Sequence, residues 1–318
     1  MTSPAPSHAL EPGARIPDFE RTTDFGHWNR YAAVNDEFIP IHMDSEAGRA
    51  AGQPDAFGMG NLRIAYLHDL LRACLGEAGD IVRLECQFRG FNFKGDTLRA
   101  HGTVTSREER EGAELVQLSL GVENQDGFDI TPATASVLLF GPTGARSLPE
   151  PTASPTFPER RASANIPQEV IDLIGETPPA IVSYPVGMND IRRWAQAVYY
   201  PEPPPALFID EAAAAASPWG GVVAPREFNP FAWMPAQSPG QYWEQLRAQR
   251  PTALNGGQEM SYYAPIRPGD VITRTRSFSD VYEKDGRSGN MVFTVGITRW
   301  TNQRDELVRL GRDTLILI

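Results

Sequence analysis

The stretch from Tyr31 to Asp44 reads Tyr-Ala-Ala-Val-Asn-Asp-Glu-Phe-Ile-Pro-Ile-His-Met-Asp, so Asp36, Glu37 and His42 fall close together in the chain. A carboxylate beside an imidazole can divide the work of taking a proton from water and returning one to carbon. Chemistry of that kind builds negative charge on a neighbouring oxygen, which must be met by hydrogen-bond donors. Gly58-Met59-Gly60 follows and opens a long apolar-periodic segment. The first N–H groups of a helix have no intrahelical partner and sit at the positive end of its dipole. Glycine lets a ligand approach them closely. The Gly58-Met59-Gly60 opening is therefore the candidate source of those donors. Arg89 and Lys94, just before the Gly95-Asp96 turn, are candidate cations for a phosphorylated carrier.

These residues need a frame to hold them. A short helix is predicted over Phe25 to Asn35, then a loop from Asp36 to Met43, with Asp44 as N-cap of the next turn and Glu46 early in it. Leu62, Ala65, Tyr66, Leu70, Ala73 and Cys74 recur at three- and four-residue spacing, which predicts a long helix opening near Met59-Gly60 and stopping at Gly76. Ile81 to Phe88, Asp96 to Thr105, Glu114 to Val122 and Thr134 to Phe140 are short alternating runs, predicted to form one antiparallel sheet around that helix.

The chain also contains itself twice. At an offset of 194 − 28 = 166, Trp28 meets Trp194 and Ile41-His42-Met43-Asp44 meets Leu207-Phe208-Ile209-Asp210. Lys94-Gly95-Asp96-Thr97 meets Pro268-Gly269-Asp270-Val271 at 269 − 95 = 174, so the second copy carries an insertion, placed at Phe231 to Pro251 with Trp233, Tyr242 and Trp243. Both copies close with a hairpin, through Asn124-Gln125-Asp126-Gly127 and Asn302-Gln303-Arg304-Asp305. The proline-rich stretch between the copies has the composition of an extended linker. The division is 1–145, an N-terminal catalytic domain; 146–167, the linker; and 168–318, a C-terminal domain. At the 166 offset His42 becomes Phe208, Glu37 becomes Pro203 and Gly60 becomes Arg226, so the second copy keeps the pattern and loses the acid/base groups.

The motif from Tyr31 to Leu62 resembles that of the MaoC-like dehydratases and R-specific enoyl-CoA hydratases, roughly Asp-x-Asn-Pro-x-His-x-Asp followed by a glycine-opened helix. Two positions depart from it: Glu37 stands at the aspartate position with Asp36 one residue earlier, and Ile39 stands where the family has asparagine. Either carboxylate is thereby a candidate. The C-terminal half, with Gly220-Gly221-Val222-Val223-Ala224-Pro225, resembles the non-catalytic partner of double hot-dog and heterodimeric dehydratases. The resemblance implies an α+β tandem double hot-dog fold, each half a long central helix wrapped by an antiparallel sheet. It implies a hydro-lyase of acyl-CoA or acyl carrier protein thioesters, as in fatty acid metabolism, reversibly hydrating trans-2-enoyl-CoA with His42 and Glu37 as partners and the Gly60 N–H as oxyanion donor. No metal or organic cofactor is called for. A thioesterase and a non-catalytic acyl-thioester-binding subunit are the alternatives. The aromatic insertion is the expected wall for a bulky acyl chain.

The chain has 318 residues, enough for two cores. A net charge of −11 weighs against a nucleic-acid partner, since such binding relies on clustered Lys and Arg. A CoA ester needs only a few local cations. No apolar run approaches the roughly 20 residues of a membrane span, and the amino terminus lacks the pattern of a secretory signal, so a cytoplasmic protein is expected. Cys74 and Cys86 are too few for a disulfide framework and are expected as buried thiols. A fused pair already supplies the dimer that single hot dogs require, and a homodimer of such chains is compatible with this.

Overall fold

The computed structural model describes residues 10–110, 112–141, 157–235, 250, 253–286 and 289–318. Among the described residues, ten strands form one continuous antiparallel sheet: β1 (Arg15–Thr22), β2 (Gly79–Gln87), β3 (Thr97–Arg110), β4 (Ala113–Glu123), β5 (Ala133–Leu139), β6 (Ile181–Val182), β7 (Ala253–Tyr262), β8 (Thr273–Gly286), β9 (Gly289–Thr301) and β10 (Leu307–Leu317). Their order is β1-β3-β4-β5-β2-β7-β10-β9-β8-β6. Read from either edge the connectivity is the same, which is the internal repeat expressed as topology. The copies meet at β2 and β7, where Arg83 pairs with Ser261 and Gln87 with Gly257.

The helices repeat as well. α1 (Phe25–Asn35), α2 (Pro40–Met43) and α3 (Ser45–Ala50) are matched by α6 (Met188–Val198), α7 (Ala206–Ile209) and α8 (Glu211–Ala216), with α4 (Gly60–Leu75) and α5 (Gln168–Ile171) between them. Asp44 caps α3 by accepting from Ala47 N at 2.8 Å, and Asp210 caps α8 by accepting from Ala212 and Ala213 N. The turns correspond too: Asp96 accepts from Phe93 N and Asp270 from Arg267 N, both at 2.8 Å, after Gly95 and Gly269 at φ +94° and +87°.

α4 is the core of the first copy. Its apolar residues Leu62, Ala65, Tyr66, Leu70 and Leu71 are buried against Leu98, Ala100, Leu118, Val122 and Ala135 of the surrounding strands, and Gly76 ends it at φ 54°. Among the described residues the second copy has no helix of that length. Residues 225–235, where the repeat would start one, form irregular turns. Much of the insertion, including Tyr242 and Trp243, lies outside the described residues.

Three further features differ from expectation. β1 was hidden by Pro17 and its charged residues, yet it is an edge strand with a register shift between Ile16 and Phe19, where proline removes no ladder bond. The expected loop 36–43 contains the turn α2, started by Pro40 at a position that needs no N–H. In the linker stretch, Ile166 packs with Val170, Ile171 and Phe278, while Ser163 and Asn165 donate to Glu283. Cys74 and Cys86 are free and buried.

Candidate active site

Each acid/base candidate is placed by a local cause. Asp24 caps α1, accepting from Gly26 and His27 N, and α1 ends at Asp36 in the left-handed conformation (φ 55°, ψ 44°). That reversal lets Glu37 N return to Ala32 O at 3.1 Å and sends the Glu37 side chain toward the start of α4. There its carboxylate accepts from Asn61 Nδ2 at 3.1 and 3.3 Å and from Asn35 Nδ2 at 2.7 Å. Burial raises the Glu37 pKa, with the two amides pulling the other way.

His42, carried on α2, is buried, and its ring stands edge-on to Phe57 with centroids 5.2 Å apart. Its Nδ1 lies 2.7 Å from Phe57 O. A carbonyl can only accept, so Nδ1 carries the proton and Nε2 is left as the basic nitrogen. Burial lowers the His42 pKa; the Phe57 contact opposes this and the nearby Arg63 guanidinium reinforces it. At neutral pH the ring is therefore the uncharged Nδ1–H tautomer.

Both side chains thus converge on residues 57–61, where α4 begins. Gly58 N donates to Asn92 O at 2.8 Å, and no side chain caps the amides that follow. A Cβ on Gly60 would lie 2.8 Å from the Phe88 ring, so this helix start accepts only glycine without shifting Phe88. A carboxylate, a neutral imidazole and an uncapped helix terminus together can move protons beside an oxygen that gains charge.

Over residues 172–310 the chain matches the family described as FAS1-like, dehydratase domain region. It is 31% identical over 143 residues to a UPF0336 protein of Saccharopolyspora erythraea, covering 45% of this chain and 87% of that one. The chain belongs to the UPF0336 family. A second UPF0336 protein, of Streptomyces avermitilis, is 32% identical over 110 residues, 34% of this chain and 70% of the relative. Among solved structures, a MaoC domain protein of Chloroflexus aurantiacus superposes with a TM-score of 0.70 at 12% identity, covering 100% of this chain and 98% of that one. A conserved hypothetical protein of Mycobacterium tuberculosis with a double hot-dog fold gives 0.61 at 14% identity over 97% of each chain. The fold is accordingly α+β, a double hot dog.

In this double hot-dog chain the remaining candidates sit apart from Glu37 and His42. Asp36 is exposed, and its carboxylate accepts from Trp233 N at 3.3 Å. Arg89 is exposed and donates to Gln87 Oε1 at 3.0 Å, while Lys94, also exposed, lies over the Phe25 ring at 5.6 Å. Asn61 and Arg63 escaped the sequence reading. Asn61 directly follows Gly60, and a polar residue at that place in an apolar helix was the available signal. Arg63 is buried, donates to Gly90 O at 2.7 Å, and burial lowers its pKa to about 10, so it remains a cation near His42. A cavity of about 200 Å³, lined by Ala33, Val34, Tyr184, Phe228, Asn229 and Trp233 among others, adjoins the last turn of α1.

The second copy fills the equivalent positions differently. Phe208 is buried on α7 beside Tyr199, ring centroids 6.2 Å apart. Arg226 is buried and pairs with Asp80 of the first copy, which Arg72 also contacts at 2.8 Å. Burial alone would raise the Asp80 pKa, but the two guanidinium groups outweigh it and the net shift is downward.

Proposed function

We propose that this chain is a hydro-lyase that reversibly adds water to trans-2-enoyl-CoA, or to the equivalent acyl carrier protein thioester, giving the 3-hydroxyacyl thioester. The hydratase/dehydratase family sets the class of reaction, and one observation carries the finer reading. Glu37 and His42, five residues apart in sequence, are both drawn to the uncapped N-terminus of α4, with burial keeping the imidazole uncharged.

Water held between the Glu37 carboxylate and His42 Nε2 donates one hydrogen to each, which aims its lone pair at Cβ. As the C–O bond forms, Glu37 takes a proton and the thioester oxygen gains charge opposite the Gly60 N–H. The same proton is returned to Cα, and the atoms of water are all accounted for. A carboxylate of raised pKa suits this shuttle, because it binds the proton more firmly than an exposed glutamate. The acid/base work is assigned to 1–145, and Arg89 and Lys94 are the cations offered to the carrier's phosphates. Domain 168–318 supplies the partner hot dog. Among the described residues no helix is long and apolar enough to cross a membrane.

The test is loss of enoyl-thioester absorbance on a panel from crotonyl-CoA to bulky enoyl-CoAs, for wild type, His42→Ala and Glu37→Gln. Hydration by wild type, lost in both variants, is the expected result. Release of CoA without hydration would replace this reading with a thioesterase, and binding without either would leave an acyl-thioester-binding subunit.

A further inference from the structure

The two amides that hold Glu37 are themselves held from the other copy. Asn229 Nδ2 donates to Asn35 Oδ1 at 2.9 Å, and Gln258 Nε2 donates to Asn61 Oδ1 at 3.0 Å. Asn35 ends α1 and Asn61 lies in the first turn of α4, so the two supports reach Glu37 from different elements. Gln258 is on β7, paired with Cys86 across the junction of the copies. Asn229 lies in the irregular stretch over residues 225–235.

We propose that Asn229 and Gln258, from the copy that lacks acid/base groups, are positioning residues for the Glu37 carboxylate, fixing which end of Asn35 and Asn61 faces it. This rests on Glu37 being the working carboxylate.

An asparagine side chain can turn over and present oxygen where it presented nitrogen. Here each oxygen is already occupied by an N–H from the second copy, so only the NH₂ group remains for Glu37. A turned amide would set its oxygen against the carboxylate, two acceptors facing each other in a poorly hydrated site, and the charged form of Glu37 would lose a donor. Two charge-stabilising donors, each locked from behind, therefore oppose the effect of burial on Glu37 and keep its carboxylate aimed. In this arrangement the second copy has lost proton transfer but retains control over the group that performs it.

The experiment uses the full chain and two readouts. The first is the carbon-13 NMR titration of the Glu37 carboxyl group in protein labelled at glutamate, its resonance identified by its loss in Glu37→Gln. The second is the pH profile of kcat/KM for enoyl-CoA hydration. Gln258→Met keeps the shape and removes the donor. It is expected to raise the Glu37 pKa by about one pH unit, move the acid limb upward equally, and lower kcat roughly tenfold with KM within about twofold. Asn229→Leu shifts both readouts in the same direction. In an Asn61→Ala background, Gln258→Met should add nothing, because its route to Glu37 is gone.

Folded Gln258→Met and Asn229→Leu proteins with an unmoved Glu37 titration would overturn the proposal, as would a full additional effect of Gln258→Met on Asn61→Ala. If Gln258→Met does not fold, Asn229→Leu decides. Hydration undiminished in Glu37→Gln would instead remove the assignment of Glu37, a failure distinguishable from the NMR result.

Discussion

The two copies share strand order, caps and turns, and differ where α1 hands over to α2 and where α4 begins. In the first copy that place holds Glu37, His42 and the uncapped Gly60; in the second it holds Pro203, Phe208 and Arg226. The replacements are not neutral. Phe208 fills its position with an apolar ring, and Arg226 reaches across the junction to Asp80 beneath the first copy's central helix. At this junction the second copy is anchored to the first through the buried Arg226–Asp80 pair.

Exchanging the copies' residues is the sharpest way to break this comparison. His42→Phe, which makes the first site like the second, is expected to lower hydration about 10³-fold in steady-state assays. The reverse change, Phe208→His, should leave turnover unaltered, because Pro203 and Arg226 still lack the carboxylate and the helix start. New activity in Phe208→His with His42→Phe would show the copies to be more interchangeable than their sites suggest.

The anchor is tested by Asp80→Ala, which leaves Arg72 and Arg226 buried without their shared carboxylate. A loss of about 3–5 kcal/mol is expected from urea denaturation, with the transition still cooperative. If instead the second copy melted separately, the junction would be weaker than its continuous strand ladder implies.

A smaller effect concerns pH. The folded-state pKa of Glu37 is raised, so this residue favours folding below its unfolded pKa and that contribution is lost as pH rises through the folded value. Glu37→Gln should therefore melt at a higher temperature than wild type at pH 7, the difference closing as pH falls through the ordinary carboxylate range near about 4.3. Scanning calorimetry across pH 4 to 8 measures it. Activity lost while stability is gained would mark Glu37 as a residue kept for chemistry.

The smallest change is expected for Asp36→Asn. Asparagine tolerates the left-handed conformation, and the Asp36 carboxylate faces Trp233 N rather than the start of α4, so kcat/KM should stay within about twofold. A large loss would return Asp36 to the candidate pair.

The parts legible in the sequence were those written in local code. Gly60 and Gly76 bracketed α4, Asp44 and Asp210 announced their caps, and the two Asn-led turns marked the closing hairpins. The repeat was legible because Trp28 and Trp194, Gly95 and Gly269 serve the same local geometry twice. What was hidden depends on distant partners. Nothing near Asn35 or Asn61 in sequence says that each amide is shared between Glu37 and the other copy, and it is one backbone reversal, at Asp36, that sends the two neighbouring carboxylates to different surroundings. β1 was hidden for another reason: an edge strand tolerates proline and charge that a central strand would not.

The ladder between β2 and β7 also has a meaning for folding and for engineering. Each copy made alone would end in a naked strand with an unpaired edge over the five residues that now form the junction, a template for pairing with any other chain. Cut at the linker, the protein should therefore yield fragments that aggregate when produced singly and stay in solution when produced together, each capping the other's open edge.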